Sequence, residues 1–141
     1  MLQVIKSVTE SESNLIANLA NITAIIQEER SYHWTGFYLV EGEQLVLGPF
    51  QGPLACTRIP FGKGVCGSSW EQKKSLRVDD VHSFSGHIAC SAKTNSELVV
   101  PVIKNGAVVA VLDLDSEKHA AFSEEDQKNF EEICQYIGEL F

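Results

Sequence analysis

The sequence predicts an α+β domain in which helices cover one face of an antiparallel sheet. Two observations support this prediction: each end of the chain carries an amphipathic helical pattern, and the region between them contains two pairs of apolar runs joined by short turns. The chain has 141 residues, which suits one compact domain with its own hydrophobic core. Its 44% hydrophobic and 21% charged residues are typical of a folded globular chain.

Both terminal helices are predicted from apolar stripes at helical spacing. The first stripe consists of Leu15, Leu19, Ile22 and Ile26. Thr9 and Glu12 have the spacing of a capping box, so this helix is predicted to begin at Thr9. The second stripe consists of Phe130, Ile133, Ile137 and Phe141. Ser123 is a suitable N-cap for this last helix.

The middle of the chain gives weaker signals. A first hairpin is predicted from the apolar runs 34–40 and 45–47, which are separated by a short Gly-containing turn. The Gly- and Pro-rich stretch 48–67 is predicted to be loop, and so is the polar stretch 79–94. Between these loops a short helix and a short strand are predicted, over 68–74 and 76–78.

The clearest local signal is a second hairpin. Its apolar runs, 98–103 and 107–114, flank the dipeptide Asn105-Gly106, which supplies the positive φ angles of a type I′ turn. Two long antiparallel strands are therefore predicted to pair through this turn. The predicted order is helix, hairpin, loops, hairpin and helix, which is the order of an α+β domain.

Two aspartates interrupt the last apolar strand of this second hairpin. Asp113 and Asp115 are two residues apart, so they are predicted to share one face with Val109 and Val111. A carboxylate in so apolar a strand needs a partner or a task, unless the strand has already reached solvent at that point. The sequence leaves both alternatives open.

Glu97 opens the partner strand and is a third candidate carboxylate. A two-residue turn pairs Glu97 with Leu114 and Leu98 with Asp113, which directs Glu97 and Asp113 to opposite faces of the sheet. Both carboxylates reach one pocket only if a β-bulge or a longer turn shifts this register.

Trp34 and Tyr38 lie in the first predicted strand and are candidate pocket residues. Aromatic side chains in strands commonly pack in a sheet core. They also suit a pocket wall that contacts an apolar group such as a thioether methyl. On the residues alone, core packing is the more common outcome.

The charge pattern excludes several classes of partner. The net charge is −8, and the longest basic run is the pair Lys73-Lys74, so no nucleic-acid partner is expected. No apolar run approaches the roughly 18 residues of a membrane span. The first ten residues lack the order of a signal peptide, and a cytoplasmic protein with reduced thiols is therefore expected.

The four cysteines carry the strongest chemical signal. Cys56, Cys66 and Cys90 fall in the predicted loops, where thiols can meet each other and solvent, whereas Cys134 falls in the apolar stripe of the last helix. Cys90 is the best nucleophile candidate, because positive charge on the nearby His87 or Lys93 would favour its thiolate. A thiol-redox enzyme is therefore predicted; His87 bonded to backbone is an equally ordinary alternative.

Zinc binding is a competing interpretation of the same residues. His87 would complete a set of three cysteines and one histidine with Cys56, Cys66 and Cys90. Structural zinc sites usually contain closely spaced cysteine pairs, and the spacings here are ten and twenty-four residues. Thiol exchange needs only the transient approach of two sulfurs, so the redox prediction is preferred and no metal is assigned.

Four segments together resemble the free methionine-(R)-sulfoxide reductases, which are built on a GAF domain. The segments are residues 52–56, GPLAC; 62–67, GKGVCG; 80–90, which end in GHIAC; and 95–101, NSELVVP. The resemblance runs from about Trp34 to the last helix. It implies a single GAF domain over residues 1–141, with the terminal helices on one face of the sheet and loops covering a pocket on the other.

The resemblance also implies residue roles. Cys90 matches the nucleophile, Cys56 a resolving cysteine and Cys66 a third cysteine whose role is less fixed. The substrate-binding residues that it implies are Glu97, Asp113, Asp115 and Trp34, and Tyr38 is expected beside them. Ser91 departs from the family pattern, because an aspartate is expected after the nucleophile.

The activity that the resemblance implies is reduction of free L-methionine-(R)-S-oxide to methionine. Cys90 would pass through a sulfenic acid to an intramolecular disulfide, which thioredoxin would reduce, so no bound cofactor is expected. The family analogy also suggests a homodimer. The alternative is a GAF domain that binds a small molecule as a sensor without turnover.

Overall fold

The computed structural model describes residues 1–141 and contains four α-helices and one six-stranded antiparallel sheet. The helices are α1 (Leu2–Thr9), α2 (Leu15–Arg30), α3 (Gly64–Gln72) and α4 (Glu124–Leu140). The strands are β1 (Trp34–Glu41), β2 (Gln44–Gln51), β3 (Arg58–Pro60), β4 (Leu76–Val78), β5 (Ser96–Lys104) and β6 (Ala107–Ser116). Their order across the sheet is β3-β2-β1-β6-β5-β4, and the predicted α+β class is confirmed. None of the helices has the length and apolar character needed to cross a membrane.

The two faces of the sheet bury two separate clusters. On one face, sixteen buried residues from α1, α2, α4, the sheet and the loop before α4 form the main core. On the other face, nine buried residues pack under α3 and the connecting loops. The predicted stripes of both terminal helices lie in the main core, because burying an apolar stripe is what stabilises an amphipathic helix. The second face is covered by the short helix α3 and by loops, and the pocket described below lies on this face.

The predicted start of the first long helix is wrong. Thr9 is the last residue of an additional helix, α1, and its hydroxyl donates to the carbonyl of Ile5. The N-cap of α2 is Asn14, whose side chain accepts a hydrogen bond from the backbone of Ala17 at 2.9 Å. At the other end of the chain, Ser123 caps α4 in a capping box with Asp126, which confirms that prediction.

The stretch 48–67 is more regular than predicted. It contains the end of β2, all of β3 and the first turn of α3, so the helix predicted over 68–74 begins earlier, at Gly64. Gly67 permits this packing, because a Cβ there would lie 2.6 Å from the carbonyl oxygen of Pro60. The glycines in this stretch therefore mark close packing of a helix on a strand, and the short strand predicted over 76–78 is confirmed as β4.

The second hairpin has the predicted turn and also the β-bulge that a shared pocket requires. Asn105 and Gly106 have φ angles of 53° and 79°, as a type I′ turn requires. Ile103 pairs with Val108, but Val102 pairs with Ala110, so Val109 has no partner. In this β-bulge two residues of β6 oppose one residue of β5, which shifts every pair beyond it by one residue, so the strict register predicted from the turn is wrong.

Candidate active site

The bulge brings the three candidate carboxylates onto one face of the sheet. Glu97 pairs with Asp115, and Asp113 lies two residues back along β6. Because side chains alternate along a strand, all three then point to the same side. They are 6%, 6% and 9% exposed for Glu97, Asp113 and Asp115, so the strand has not reached solvent at this point.

The bulge also corrects the predicted face of β6. Val111 lies on the same face as the two aspartates, as predicted, and belongs to the cluster of buried residues under α3. Val109 packs against the main core on the opposite face, because the extra residue reverses the alternation. The prediction that Val109 lines up with Asp113 and Asp115 is therefore wrong.

A pocket opens above these carboxylates. Its wall is formed by β1, by the first turn of α3 and by the loops around Ala55 and Ile88. Seven of the eight candidate residues line it: Trp34, Tyr38, Cys66, Cys90, Glu97, Asp113 and Asp115. The eighth, Cys56, is bonded to Cys90. The fold thus brings together residues that are up to 81 positions apart in the chain (34 and 115).

Trp34 both packs in the sheet core and lines the pocket, which were the two predicted alternatives for this residue. Its ring stacks on Tyr38 and on Phe50, at centroid distances of 5.8 and 5.2 Å, and also lines the pocket. The indole nitrogen donates to the carbonyl of Pro53 at 3.1 Å, which fixes the plane of the ring. Gly36 leaves room for it, because a Cβ at that position would lie 2.5 Å from the ring.

Tyr38 connects the pocket floor to the disulfide loop. Its hydroxyl donates to the backbone carbonyl of Cys56 at 2.8 Å. Burial is the main cause that raises the pKa of this phenol, and the nearby Asp113 raises it further. The hydroxyl therefore stays protonated and keeps this hydrogen bond, which holds the Cys56 backbone over the sheet.

Two of the four cysteines form a disulfide, and the other two are buried. Cys56 and Cys90 are joined across the pocket rim, with their Cα atoms 5.4 Å apart. Cys66 was predicted on a loop, but it lies in the first turn of α3, 4% exposed, with Sγ 3.9 Å from Oε2 of Glu97. The predicted core position of Cys134 is confirmed. Because the sulfurs of Cys56 and Cys90 are bonded to each other, a zinc site of all three cysteines does not form here.

Of the two cations expected beside the nucleophile, His87 is not favoured. His87 lines the pocket, but burial lowers the pKa of its imidazole, and the neighbouring His82 lowers it further. Its Nδ1 is buried and has no hydrogen-bond partner, so the alternative backbone contact is absent at that atom as well. His87 is therefore a neutral side chain at the pocket wall rather than a source of positive charge.

The buried acids favour the protonated state. Burial is the main cause that raises the pKa of Glu97 and of Asp115, and repulsion from Asp113 adds to it. Burial also raises the pKa of Asp113, and the neighbouring side chains of Glu97, Asp115 and Cys66 oppose the shift. The three groups titrate together, so their pKa values belong to the set rather than to one residue. The pocket floor thus holds three acids whose shared burial favours protonated forms.

Comparison with known proteins identifies the type of site. A GAF domain model matches residues 9–141. The chain is 50% identical over 138 residues to GAF domain-containing protein A of Dictyostelium discoideum. This alignment covers 97% of this chain and 87% of that protein. It is 45% identical over 130 residues to the free methionine-R-sulfoxide reductase of Escherichia coli K12, with coverage of 92% and 79%.

A solved structure is similar to this chain over nearly its whole length. The fold matches the X-ray structure of free methionine-R-sulfoxide reductase from Neisseria meningitidis in complex with its substrate. The TM-score is 0.98 at 46% identity, over 99% of this chain and 85% of that one. The chain belongs to the free methionine-R-sulfoxide reductase family of GAF domains. The predicted resemblance and the GAF fold are thereby confirmed.

One contact of this reductase fold was missed in the sequence. Ser91, the residue after Cys90, lies with its hydroxyl 3.2 Å from Nε2 of His33. Nδ1 of the same ring is 3.3 Å from a carboxylate oxygen of Glu117. Through these two contacts the loop that contains Cys90 is attached to His33, the residue just before β1. No local motif reveals it, because Ser91 and His33 are 58 residues apart.

The raised pKa values predict an unusual pH dependence of stability in this reductase. A carboxyl group whose folded pKa lies above its unfolded value, about 4, stabilises the fold fully below that value and loses the contribution as pH rises through the folded pKa. We expect the free energy of unfolding of unliganded protein to fall as pH rises above about 4. Glu97→Gln should flatten this decline and be more stable at pH 8 by about 0.5–2 kcal/mol.

Urea unfolding across this pH range tests the prediction. The exposed Glu132 has no part in the pocket, so Glu132→Gln is the matched control and should follow the wild-type curve. Parallel curves for wild type and Glu97→Gln would contradict the assignment of protonated acids to the pocket floor.

Proposed function

We propose that this chain reduces free L-methionine-(R)-S-oxide to L-methionine, with Cys90 as the nucleophile. One observation carries the proposal: Cys90, bonded to Cys56, lines a pocket whose floor consists of Glu97, Asp113 and Asp115. Such a pocket combines a redox-active sulfur with groups that can donate a proton. The relatives named above, one of them solved with its substrate, support the same assignment.

The first chemical step needs both a thiolate and an acid. Sulfoxide oxygen leaves only when it is protonated, and the neutral carboxyl groups of Glu97 and Asp115 are the available donors. The Cys90 thiolate attacks the sulfoxide sulfur, and the oxygen is transferred to Sγ, which yields methionine and a sulfenic acid. The substrate sulfur is reduced by two electrons, and Cys90 is oxidised by two.

The second step forms the disulfide that the structure contains. The thiol of Cys56 attacks the sulfenic sulfur of Cys90, and water leaves as the S–S bond forms. The sum is sulfoxide plus two thiols giving methionine, water and a disulfide. Cys56 is therefore the resolving cysteine in this proposal, and Cys66 is not needed for resolution because it remains a buried thiol.

The same pocket accounts for a free amino acid as substrate. A carboxylate at Asp113, flanked by two further acids, suits the ammonium group that a peptide-bound residue lacks. The stacked ring of Trp34, with Tyr38 beside it, provides an apolar wall for the thioether methyl. With the ammonium held at Asp113 and the methyl group held at Trp34, the sulfoxide sulfur between them would lie opposite Cys90.

The remaining parts of the proposal concern the environment. The reaction uses only the thiols of the chain, and a dithiol protein of the thioredoxin type returns the electrons, so no bound cofactor is required. Such recycling suits the cytoplasm, where dithiol proteins are kept reduced. A homodimer is proposed from the family analogy.

A coupled assay tests the function. Purified protein, thioredoxin, thioredoxin reductase and NADPH are mixed with free methionine-(R)-S-oxide, and NADPH consumption is followed. We expect turnover with this isomer and at least about a hundredfold lower kcat/KM for the N-acetylated sulfoxide, because the acetyl group removes the ammonium charge. The free (S) isomer should also react poorly. Saturable binding without NADPH consumption would instead support the sensor alternative.

A further inference from the structure

A second set of ligand atoms lies below the disulfide. Sγ of Cys66 and one carboxylate oxygen each of Glu97 and Asp113 all lie within 4.8 Å of one another. All three residues are buried, and the ion pairs of the structure lie elsewhere, so no lysine or arginine neutralises them. Three donors that converge without a cation are an unusual arrangement in a protein interior.

An independent observation indicates an unfilled position in this cluster. Asp113 is only 6% exposed, and its Oδ1 is fully buried without accepting a hydrogen bond. Buried carboxylate oxygens are almost always satisfied, because desolvation without a partner is costly. Asp113 lines the pocket floor, and one of its carboxylate oxygens lies within 4.8 Å of Sγ of Cys66 and of a carboxylate oxygen of Glu97, so a cation held among the three groups would give this carboxylate a partner.

We propose that Cys66, Glu97 and Asp113 form a binding site for Zn²⁺ at the pocket floor, which blocks the substrate site. Nothing in the redox reaction requires this ion. Where the proposal speaks of inhibition it rests on the proposed function, whereas the binding itself does not.

The donor set selects zinc over the hard divalent cations. Thiolate is a soft ligand, and one sulfur with two carboxylate oxygens is within the range of zinc sites, whereas Mg²⁺ prefers oxygen ligands and retains its water. Tetrahedral zinc with bonds of about 2.0–2.3 Å places its ligand atoms about 3.5 Å apart, so side-chain rotations that close the cluster by about 1 Å suffice. Three protein ligands leave a fourth position for water.

Two consequences distinguish this site from zinc bound by the redox cysteines. The ion would occupy the oxygens that hold the substrate ammonium, so inhibition should be competitive with methionine sulfoxide. None of the three donors takes part in the disulfide between Cys56 and Cys90. Zinc binding should therefore survive complete oxidation of that pair, while binding by a reduced dithiol would be lost.

Titration calorimetry with ZnCl₂ on the oxidised protein, free of reductant, tests the proposal. We expect one equivalent of Zn²⁺ to bind with proton release, because Cys66 and Glu97 must lose protons to become ligands. Cys66→Ser should weaken binding at least about tenfold, since serine replaces a soft ligand by a hard one. Cys134→Ser removes the other buried thiol, outside the pocket, and should bind like wild type. MgCl₂ should give no binding.

A spectroscopic variant of the experiment does not depend on calorimetric heats. Co²⁺ in place of Zn²⁺ should produce a thiolate-to-cobalt charge-transfer band in the oxidised wild type and in Cys134→Ser, and none in Cys66→Ser. If Cys66→Ser does not fold, Glu97→Gln replaces it in the experiment and is expected to weaken binding in the same way. Loss of binding on oxidation, or unchanged binding in Cys66→Ser, would overturn the site. Neither readout uses turnover, so failure of the proposed reaction remains a separate result.

Discussion

Cys90→Ser is expected to lower kcat for free methionine-(R)-S-oxide at least about a thousandfold, because loss of a covalent nucleophile commonly removes most of the chemical acceleration. A serine hydroxyl is not ionised near neutral pH, and it cannot accept oxygen as a sulfenic acid. NADPH consumption in the coupled assay measures the loss. Equilibrium binding of methionine sulfoxide should persist in this variant, since the three carboxylates and Trp34 are unchanged.

Cys56→Ser is the informative comparison for this variant. It removes the proposed resolving thiol but leaves the proposed nucleophile, so a single equivalent of methionine should form without thioredoxin, and Cys90 should carry a sulfenic acid that a trapping reagent labels. Recycling by thioredoxin should slow strongly. Cys134→Ser, which lies outside the pocket, should retain wild-type turnover. Full activity of Cys90→Ser would rule out the proposed mechanism.

The second large effect is expected for Asp113→Asn. Asp113 is the acid whose ionisation its neighbours favour most, so it should carry the charge that holds the substrate ammonium. Removing one partner of a buried charge pair costs about 2–5 kcal/mol, which corresponds to a loss of about 30- to several thousand-fold in kcat/KM. Steady-state kinetics should show much of this loss in KM.

An exposed aspartate provides the control for that experiment. Asp79 has a side chain that is 66% exposed and lies outside the pocket lining, so Asp79→Asn should leave kcat/KM unchanged. A value for Asp113→Asn within threefold of wild type would contradict the assigned role. The N-acetylated substrate gives a further check, because it lacks the ammonium and should be affected less by the substitution.

The sequence predicted the fold well where local chemistry decides the structure. The turn at Asn105-Gly106 requires positive φ angles, and the stripe around Ile22 requires a helix over a core; neither depends on distant residues. The additional helix α1 was missed because the capping-box spacing of Thr9 and Glu12 placed the helix start after it, whereas Thr9 is the last residue of α1.

The site was less predictable because it depends on long-range geometry. Nothing in the run Val108, Val109 and Ala110 marks a bulge, since all three side chains are apolar and both faces of this sheet are covered. The burial of Cys66 likewise follows from where α3 begins, which the glycine-rich sequence obscured. The resemblance to a known family gave the residue set; the backbone register that brings the set together came from the structure.

The bulge in β6 also bears on how the chain avoids misfolding. If Val109 were paired in an unbulged ladder, Asp113 and Asp115 would point into the main core beneath the long helices, while Leu112 and Leu114 would face the pocket. Placing a carboxyl group in such surroundings without a partner costs several kcal/mol. The two aspartates therefore penalise a hairpin that forms without the bulge, so the chemistry proposed for them and the correct register of the sheet depend on the same two side chains.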